Sequence, residues 1–476
     1  MKKIYAKVLM VSVLMLWSSL SWATDRYVST TGNDGNSGTS GSPWLTIQHA
    51  IDNSVSSDVI HVAAGTYTED LSIPTGKTNL NIVGAGTTSI IQGVDHVASG
   101  LFPLADPNIE ILGSGTKIHS FTIQNPAWTN GFYSSGMVIG TTNVEIYDNT
   151  FEVAGSDDTD DISQGLQTYA TLDISGLNIH DNTFTHIANS VAGYEGIYIN
   201  KNMGTGTITI DGNTFSGDIL RAITTEASRT TINDNSIITE LAAGLPGGYQ
   251  GINIAYALGS GTVSNVSVSG NTVKGLTEAG GFQYGLVVGN GANTNTFTGI
   301  IVTQNYIQGN QVGVRIREDA GEVAIYNNSL TSNSSFCIQD DDPGVTNIAA
   351  SCNWWGTTVS ATIATLVSGN VNYIPYLSNG TDANPGTSGF QPSVFCCDLP
   401  PSYSYEVTPT TSWETSTSQT IISGECIIFK FNSTSGKTYT FKTGCATGGG
   451  DLATANFDTW IDVWDASGHL ITENDD

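Results

Sequence analysis

The sequence predicts an all-β chain wound as a right-handed parallel β-helix, a solenoid with an N-terminal helical cap and a small C-terminal β-sandwich-like domain. Three observations carry this expectation. A strand phrase ending in Asn recurs along the middle of the chain, and a second phrase beginning with Gly recurs between its copies. The composition, with 54 Gly and abundant Asn, Thr, Ser and β-branched residues, shows no helical periodicity.

From the N-terminus, Lys2, Lys3 and Lys7 precede an apolar run from Val8 to Leu16, and Ser21-Trp22-Ala23 follows. That order reads as a secretory signal over residues 1–23, too short in its apolar part to span a bilayer. The chain is therefore expected outside the cell or on a bacterial cell surface.

The first phrase is clearest as VEIYDNTF (144–151), LNIHDNTF (177–184) and ITIDGNTF (208–215). Its Asn recurs at 149, 182, 213, 235, 271, 305 and 328, and Asn353 closes the series. The intervals of 22 to 36 residues suit one solenoid coil plus variable loops. The short Asn amide tolerates a left-handed turn and bonds backbone, so the copies are expected to stack as a ladder at that turn. The second phrase, Gly then apolar-x-apolar, begins at Gly136, Gly165, Gly196, Gly251, Gly285 and Gly313. Two alternating strands per coil, each with one face inward, are what such a solenoid needs.

The separation from Asn to the next Gly is 8 residues after Asn305 but 16, 14, 16 and 14 after Asn149, Asn182, Asn235 and Asn271. Four coils thus carry insertions at one equivalent corner, and insertions in one register project from one face. Tyr194, Tyr249 and Tyr284 lie at the ends of these insertions.

The opening RYVSTTGNDGNSGTSGSPWLTIQHAID, with DVIHVAAGTYTEDLSI after it, resembles the cap and first coil of the pectin-lyase-like superfamily. The resemblance implies a helix at about 45–53 that plugs the open end of the solenoid. Asn353-Trp354-Trp355-Gly356 with VSGNVNYIPYL resembles a last coil of secreted members, which places the β-helix at 24–377. Residues 378–402 read as a polar linker. Residues 403–476 resemble a bacterial pre-peptidase C-terminal domain cut short of its last strands. The superfamily holds lyases, glycosidases, esterases, epimerases and adhesins, so the resemblance implies a fold more than an activity. The WxDH and RxPxxR segments of pectate lyases are missing, as are the motif sets of polygalacturonases, pectin methylesterases and mannuronan epimerases.

Charge narrows the partners. Lys and Arg number 15 against 43 Asp and Glu, a net −28, and loss of the three signal lysines makes it −31. Such a chain is not built for nucleic acid or anionic headgroups. An extracellular polysaccharide is the expected partner, no membrane span is expected, and the chain is expected to be a monomer. All six Cys follow residue 330, and local spacing favours Cys337 with Cys352 and Cys426 with Cys445.

Counting from each Gly, the first and third residues should point inward and the second and fourth outward. The outward face then gathers Tyr169, Tyr198, Asn200, Asn253, Arg315 and Arg317, beside Tyr194, Glu195, Lys201, Tyr249 and Tyr284; the coil around Arg221–Thr225 is ambiguous by one residue. Rings suit apolar sugar faces, and amides and charges suit hydroxyls or carboxylates. For catalysis, Arg315, Arg317, Glu195 and Lys201 are the candidates: a β-elimination needs a base and a carboxylate neutraliser, and Arg221 could share either task. A hydrolase would need two close carboxylates, for which Glu195 and Glu226 are the pair on neighbouring coils. No motif requires a cofactor. Ca2+ is the ion that Asp157, Asp158, Asp160 and Asp161, or Asp340–Asp342, could hold. Two functions follow: a secreted glycan-interacting β-helix, acting as polysaccharide lyase or hydrolase on that face, or a non-catalytic surface or adhesin-type solenoid.

Overall fold

The computed structural model describes residues 23–393 except 95–104, 126–132, 155–162, 171, 188–192, 241–248, 256–260, 276–280, 290–295, 318–322 and 342–347. It also describes 405–407, 429–431, 460–464 and 470–475. The described strands from Asp25 to Asn372 form the expected right-handed parallel β-helix. Its strands fall in turn into three sheets of 13, 11 and 9 strands, and within each sheet successive coils are hydrogen-bonded neighbours. Pairing is parallel throughout, as in Glu145↔Asn178 and Ile146↔Ile179 of the 13-stranded sheet and Leu166↔Ile197 of the 11-stranded one.

The Asn series is a continuous ladder. From Asn149 to Asn328, each backbone N–H and each side-chain amide donates to the Oδ1 of the next Asn, at 2.8–3.1 Å. The rungs are buried, and the second amide hydrogen of each goes to backbone carbonyls; Asn213 Nδ2, for example, donates to Ile179 O and Asp211 O. A ladder of this kind satisfies a buried turn that no ordered sheet could. The left-handed residue is not the Asn, however. Positive φ falls one position earlier, at Asp148, Asp181, Gly212, Asp234, Gly270, Gln304, Asn327 and Cys352. Asn is there for its amide and the preceding residue makes the bend.

Inside, the residue two after each ladder Asn builds a second stack. Phe151, Phe184 and Phe215 lie nearly parallel with centroids 4.6 and 4.7 Å apart. This stack explains the Gly of the second phrase. A Cβ on Gly165 would sit 2.8 Å from the Phe184 ring, and one on Gly196 would sit 2.5 Å from the Phe215 ring and from Ala222 O.

The cap helix is Ile47–Asn53, with Ile47, Ala50 and Ile51 buried on the solenoid end. Glu69, from the first coil, accepts the Ile47 and Gln48 N–H groups at 2.8 and 3.0 Å. Asp34 accepts those of Leu45 and Thr46 at 2.8 and 3.0 Å. Burial opposes its charge, but these bonds outweigh it and hold its carboxyl below the ordinary value.

Two expectations change at the far end. Cys337 is a free, buried thiol facing Leu330 O, so the Cys337–Cys352 pairing does not form. Burial raises its pKa to about 12. The residues read as linker are not free of the solenoid over 378–393. Phe390 is fully buried with Cys352 and Leu377. Its N–H donates to Gln304 O at 2.8 Å, and the Tyr306 hydroxyl donates to Asp382 at 2.8 Å. Polar composition hid one buried ring. Further on, 405–407 pairs parallel with 429–431, and 460–464 pairs antiparallel with 470–475. The signal segment, Cys396, Cys397, Cys426 and Cys445 lie outside the described residues. No described helix is long and apolar enough to cross a membrane.

Candidate functional site

The outer face of the 11-stranded sheet carries the predicted residues in ordered rows. One row runs Ser135, Gln164, Glu195, Arg221, Gln250, Tyr284, Val312, each the residue before the strand's Gly or its equivalent. A second runs Val138, Gln167, Tyr198, Thr224, Asn253, Val287, Arg315. Arg221 is thus the partner of Glu195, and Ala222 stands where the neighbouring coils have Gly, which resolves the one ambiguous coil. The long connections that follow four of the Asn rungs all run from the 9-stranded to the 11-stranded sheet, at one corner.

Two arginines on this face are paired. Arg221 Nη1 donates to Glu195, which is 2 % exposed and also accepts from Gln164 Nε2 at 2.9 Å. Arg315 donates from Nε and Nη2 to one Asp341 oxygen, both at 2.7 Å, and its guanidinium lies 4.6 Å from the centre of the Tyr284 ring. The Tyr198 hydroxyl donates to the buried carboxylate of Glu226. Burial, and then the Glu226 charge, push the Tyr198 phenol far above its ordinary value. Paired this way, Arg221 and Arg315 are not ready proton acceptors.

Several predicted residues are placed differently from expectation. The three tyrosines are not equivalent. Tyr194 and Tyr249 stand two residues before their Gly and Tyr284 only one, and a one-residue offset reverses the face. Tyr194 therefore points inward: it is fully buried, and its hydroxyl donates to Phe184 O and Ser216 O. Tyr249 packs partly buried against the core, while Tyr284 lies under Arg315. Tyr169 is 3 % exposed and donates to Glu110, and Asn200 is buried with its amide on Thr168 O. Tyr198, Asn253, Arg315 and Arg317 are half-buried, and Lys201 is exposed. Glu195 and Glu226 do not oppose each other closely. Five residues separate Arg221, the register partner of Glu195, from Glu226, roughly 16 Å of extended strand. Asp157, Asp158, Asp160 and Asp161 lie outside the described residues. Asp341 is committed to Arg315, and Asp340 accepts the Asn370 N–H at 3.0 Å. Among the described residues no group of three or more His, Cys, Asp or Glu could hold a metal.

Beside Arg221, the structure adds two residues that the sequence did not single out, Thr224 and Gln250. Arg221 Nε, Thr224 Oγ1 and Gln250 Oε1 are buried polar atoms without a hydrogen-bond partner. They sit on two adjacent strands, with Arg221 opposite Gln250 and Thr224 opposite Asn253. Gln250 is the residue just before its Gly, a row that counting forward from the Gly skips, and Thr224 lies in the one coil whose facing was ambiguous by one residue.

No family model matches the chain. No curated protein matches it either. Among solved structures, a mannuronic acid-specific polysaccharide family 6 lyase from human gut microbiota superposes with a TM-score of 0.41 at 12% identity, covering 75% of this chain and 92% of that one. Pectate lyase Pel9A gives 0.32 at 14%, covering 78% and 83%. A pectin methylesterase from carrot gives 0.30 at 12%, covering 76% and 91%.

Proposed function

We propose that this chain is an exported glycan-binding β-helix that holds an extracellular polysaccharide along the outer face of its 11-stranded sheet. The observation that carries the reading is the cluster of unpartnered atoms on Arg221, Thr224 and Gln250. Buried polar atoms cost about 1–3 kcal/mol each when unsatisfied, so a set of them together on this face supports a polar ligand there. Asn253 and the half-buried Tyr198 and Tyr284 border the set with an amide and two rings, the mixture that a sugar's hydroxyls and apolar faces require.

Catalysis on the same face is a second reading, favoured by Tyr198 and Glu226, a phenol that donates to a carboxylate. The paired state of Arg221 and Arg315 weighs against an Arg-based β-elimination. The C-terminal residues, in this reading, form a pre-peptidase-like sandwich beside a monomeric solenoid.

The test is a panel of extracellular polysaccharides offered to the purified chain with and without Ca2+. Binding is read on a glycan array, and turnover by the ultraviolet absorbance of unsaturated ends and by reducing ends. Retention of at least one glycan, lost on Gln250→Ala, is the expected result. Absence of binding to every glycan sinks the proposal, and turnover of any glycan adds the catalytic reading to it.

A further inference from the structure

We infer that the outer face of the 13-stranded sheet carries a saccharide subsite of its own, a slot for one pyranose ring over Val83, between His61 and His119. This is a different side of the solenoid from the 11-stranded sheet, so the inference stands or falls apart from the reading above. Register writes the row that holds the slot. Tyr27, His61, Val83, His119, Tyr147 and His180 occupy one position on six adjacent strands. Their preceding or following strand neighbours Val28, Val62, Ile82, Ile118, Ile146 and Ile179 are buried, so the row faces outward, and its members are half-buried.

Wherever two rings are adjacent in this row, they stack. Tyr27 lies on His61 at 5.0 Å, His119 on Tyr147 at 4.4 Å and Tyr147 on His180 at 5.1 Å, with interplanar angles of 18°, 13° and 1°. Val83 breaks the series. His61 is covered by a ring on its Tyr27 side and His119 on its Tyr147 side, and toward Val83 neither meets a ring among the described residues. Val83 is one strand from each, so along the sheet the two histidine positions are about 9.6 Å apart, two strand spacings. A single ring over Val83 would stand about 4.8 Å from both, close to the interval that the row already keeps.

The two imidazoles are held by their edges. His61 Nε2 bonds Asp25 at 2.9 Å, and His119 bonds Asn81 through Nε2 and the Ser120 hydroxyl through Nδ1, both at 3.1 Å. Rings fixed before a ligand arrives lose little freedom on binding it. A hollow of about 540 Å3 adjoins the slot, lined by His61, Ala63, Val83 and Ala85 together with Ser29 and Ser40. Small-ligand sites span roughly 300–1,000 Å3, so it has room for a sugar and its substituents. The hydroxyls decide the class of ligand. Ring faces take the C–H faces of a pyranose, and serine hydroxyls meet the hydroxyls around its rim. A bare aromatic ring would use the imidazole faces alone.

The experiment titrates methyl β-glucoside, methyl β-galactoside, methyl α-mannoside and N-acetylglucosamine, with indole as a flat aromatic control, into the full chain carrying isotope-labelled histidine. The expected result is that at least one pyranose shifts the ring resonances of His61 and His119 together. Val83→Tyr puts a ring into the gap; it should abolish those shifts without lowering the melting temperature. His61→Ala should weaken the same sugar about three- to tenfold, the contribution of one ring face. The proposal is overturned if no sugar moves the two histidines, or if the shifts persist in a folded Val83→Tyr chain. Should Val83→Tyr fail to fold, a sugar affinity unchanged by His61→Ala overturns it equally. Indole binding at the histidines with no sugar binding there overturns the assignment to a saccharide.

Discussion

Asp234 shows what a single position contributes here. It sits at φ 55° one residue before the rung Asn235, where Gly212 and Gly270 stand in the neighbouring coils. A β-branched side chain is strained in that conformation. Asp234→Val is expected to lower stability by about 1–2 kcal/mol, whereas Asp234→Gly should change it little, both read by chemical denaturation. The Asn of each turn is visible in the sequence because its amide role admits few substitutes. The bend is not, because Asp, Gly, Gln, Asn and Cys all serve there. His180 gives a second prediction at this scale. Its ring stacks on Tyr147 at 5.1 Å on the outer face of the 13-stranded sheet, between Asp181 at 2.8 Å and Glu145 at 3.3 Å. Burial opposes the charged form, but the bonds to Asp181 and Glu145 prevail and raise its pKa above the ordinary value. A raised folded-state pKa means that the stabilisation is full below the unfolded pKa and disappears as pH rises through the folded one. Wild type should therefore lose its advantage over His180→Gln across that window, and an NMR titration of His180 should report the raised midpoint.

At the scale of the element, the ladder and the Phe stack are the two spines. Asn213 accepts from Asn182 and donates to Asn235, Ile179 O and Asp211 O. Asn213→Ala strands the Asn182 N–H in the interior and should cost on the order of 2–4 kcal/mol, measured by urea unfolding. Phe184 stacks on both Phe151 and Phe215, and Phe184→Ala should cost about 3–5 kcal/mol by the same assay. Both spines were legible because they repeat in register with a fixed phrase. The site was legible only in part. Alternation correctly put Tyr198, Asn253 and Arg315 outward, since period two is a property of any strand. It misplaced Tyr194, because the insertion before that strand ends two residues from Gly196, and the parity of a loop's end is not written in its composition. It also could not show that Arg221 and Arg315 already hold carboxylates, because those acids come from neighbouring coils, 26 residues away in each case.

For the whole molecule the issue is how an open-ended stack of parallel strands avoids adding further strands. At one end the helix Ile47–Asn53 covers the first coil, fixed by Glu69 and Asp34 at its exposed N–H groups. Glu69→Ala removes two of those bonds and should promote self-association before unfolding, seen by light scattering on warming. Along the side, residues 378–393 strap back onto the turn at Gln304, with Phe390 inserted beside the Tyr306 ring at 5.4 Å. Phe390→Ala should make limited proteolysis in this segment markedly faster while leaving the solenoid intact.

The ladder has a consequence for how such a molecule can change over generations. Each rung binds only the one above and the one below, so every Asn-to-Asn interval is a self-contained length of chain with interchangeable ends. The interval from Asn213 to Asn235 is 22 residues, with neither long corner loop nor cap. Excising residues 214–235 would bring Asn213 against Asn271, with the same donor and acceptor geometry on both. Gain and loss of whole coils is thus a route by which this protein can lengthen or shorten its surface without redesigning its interior.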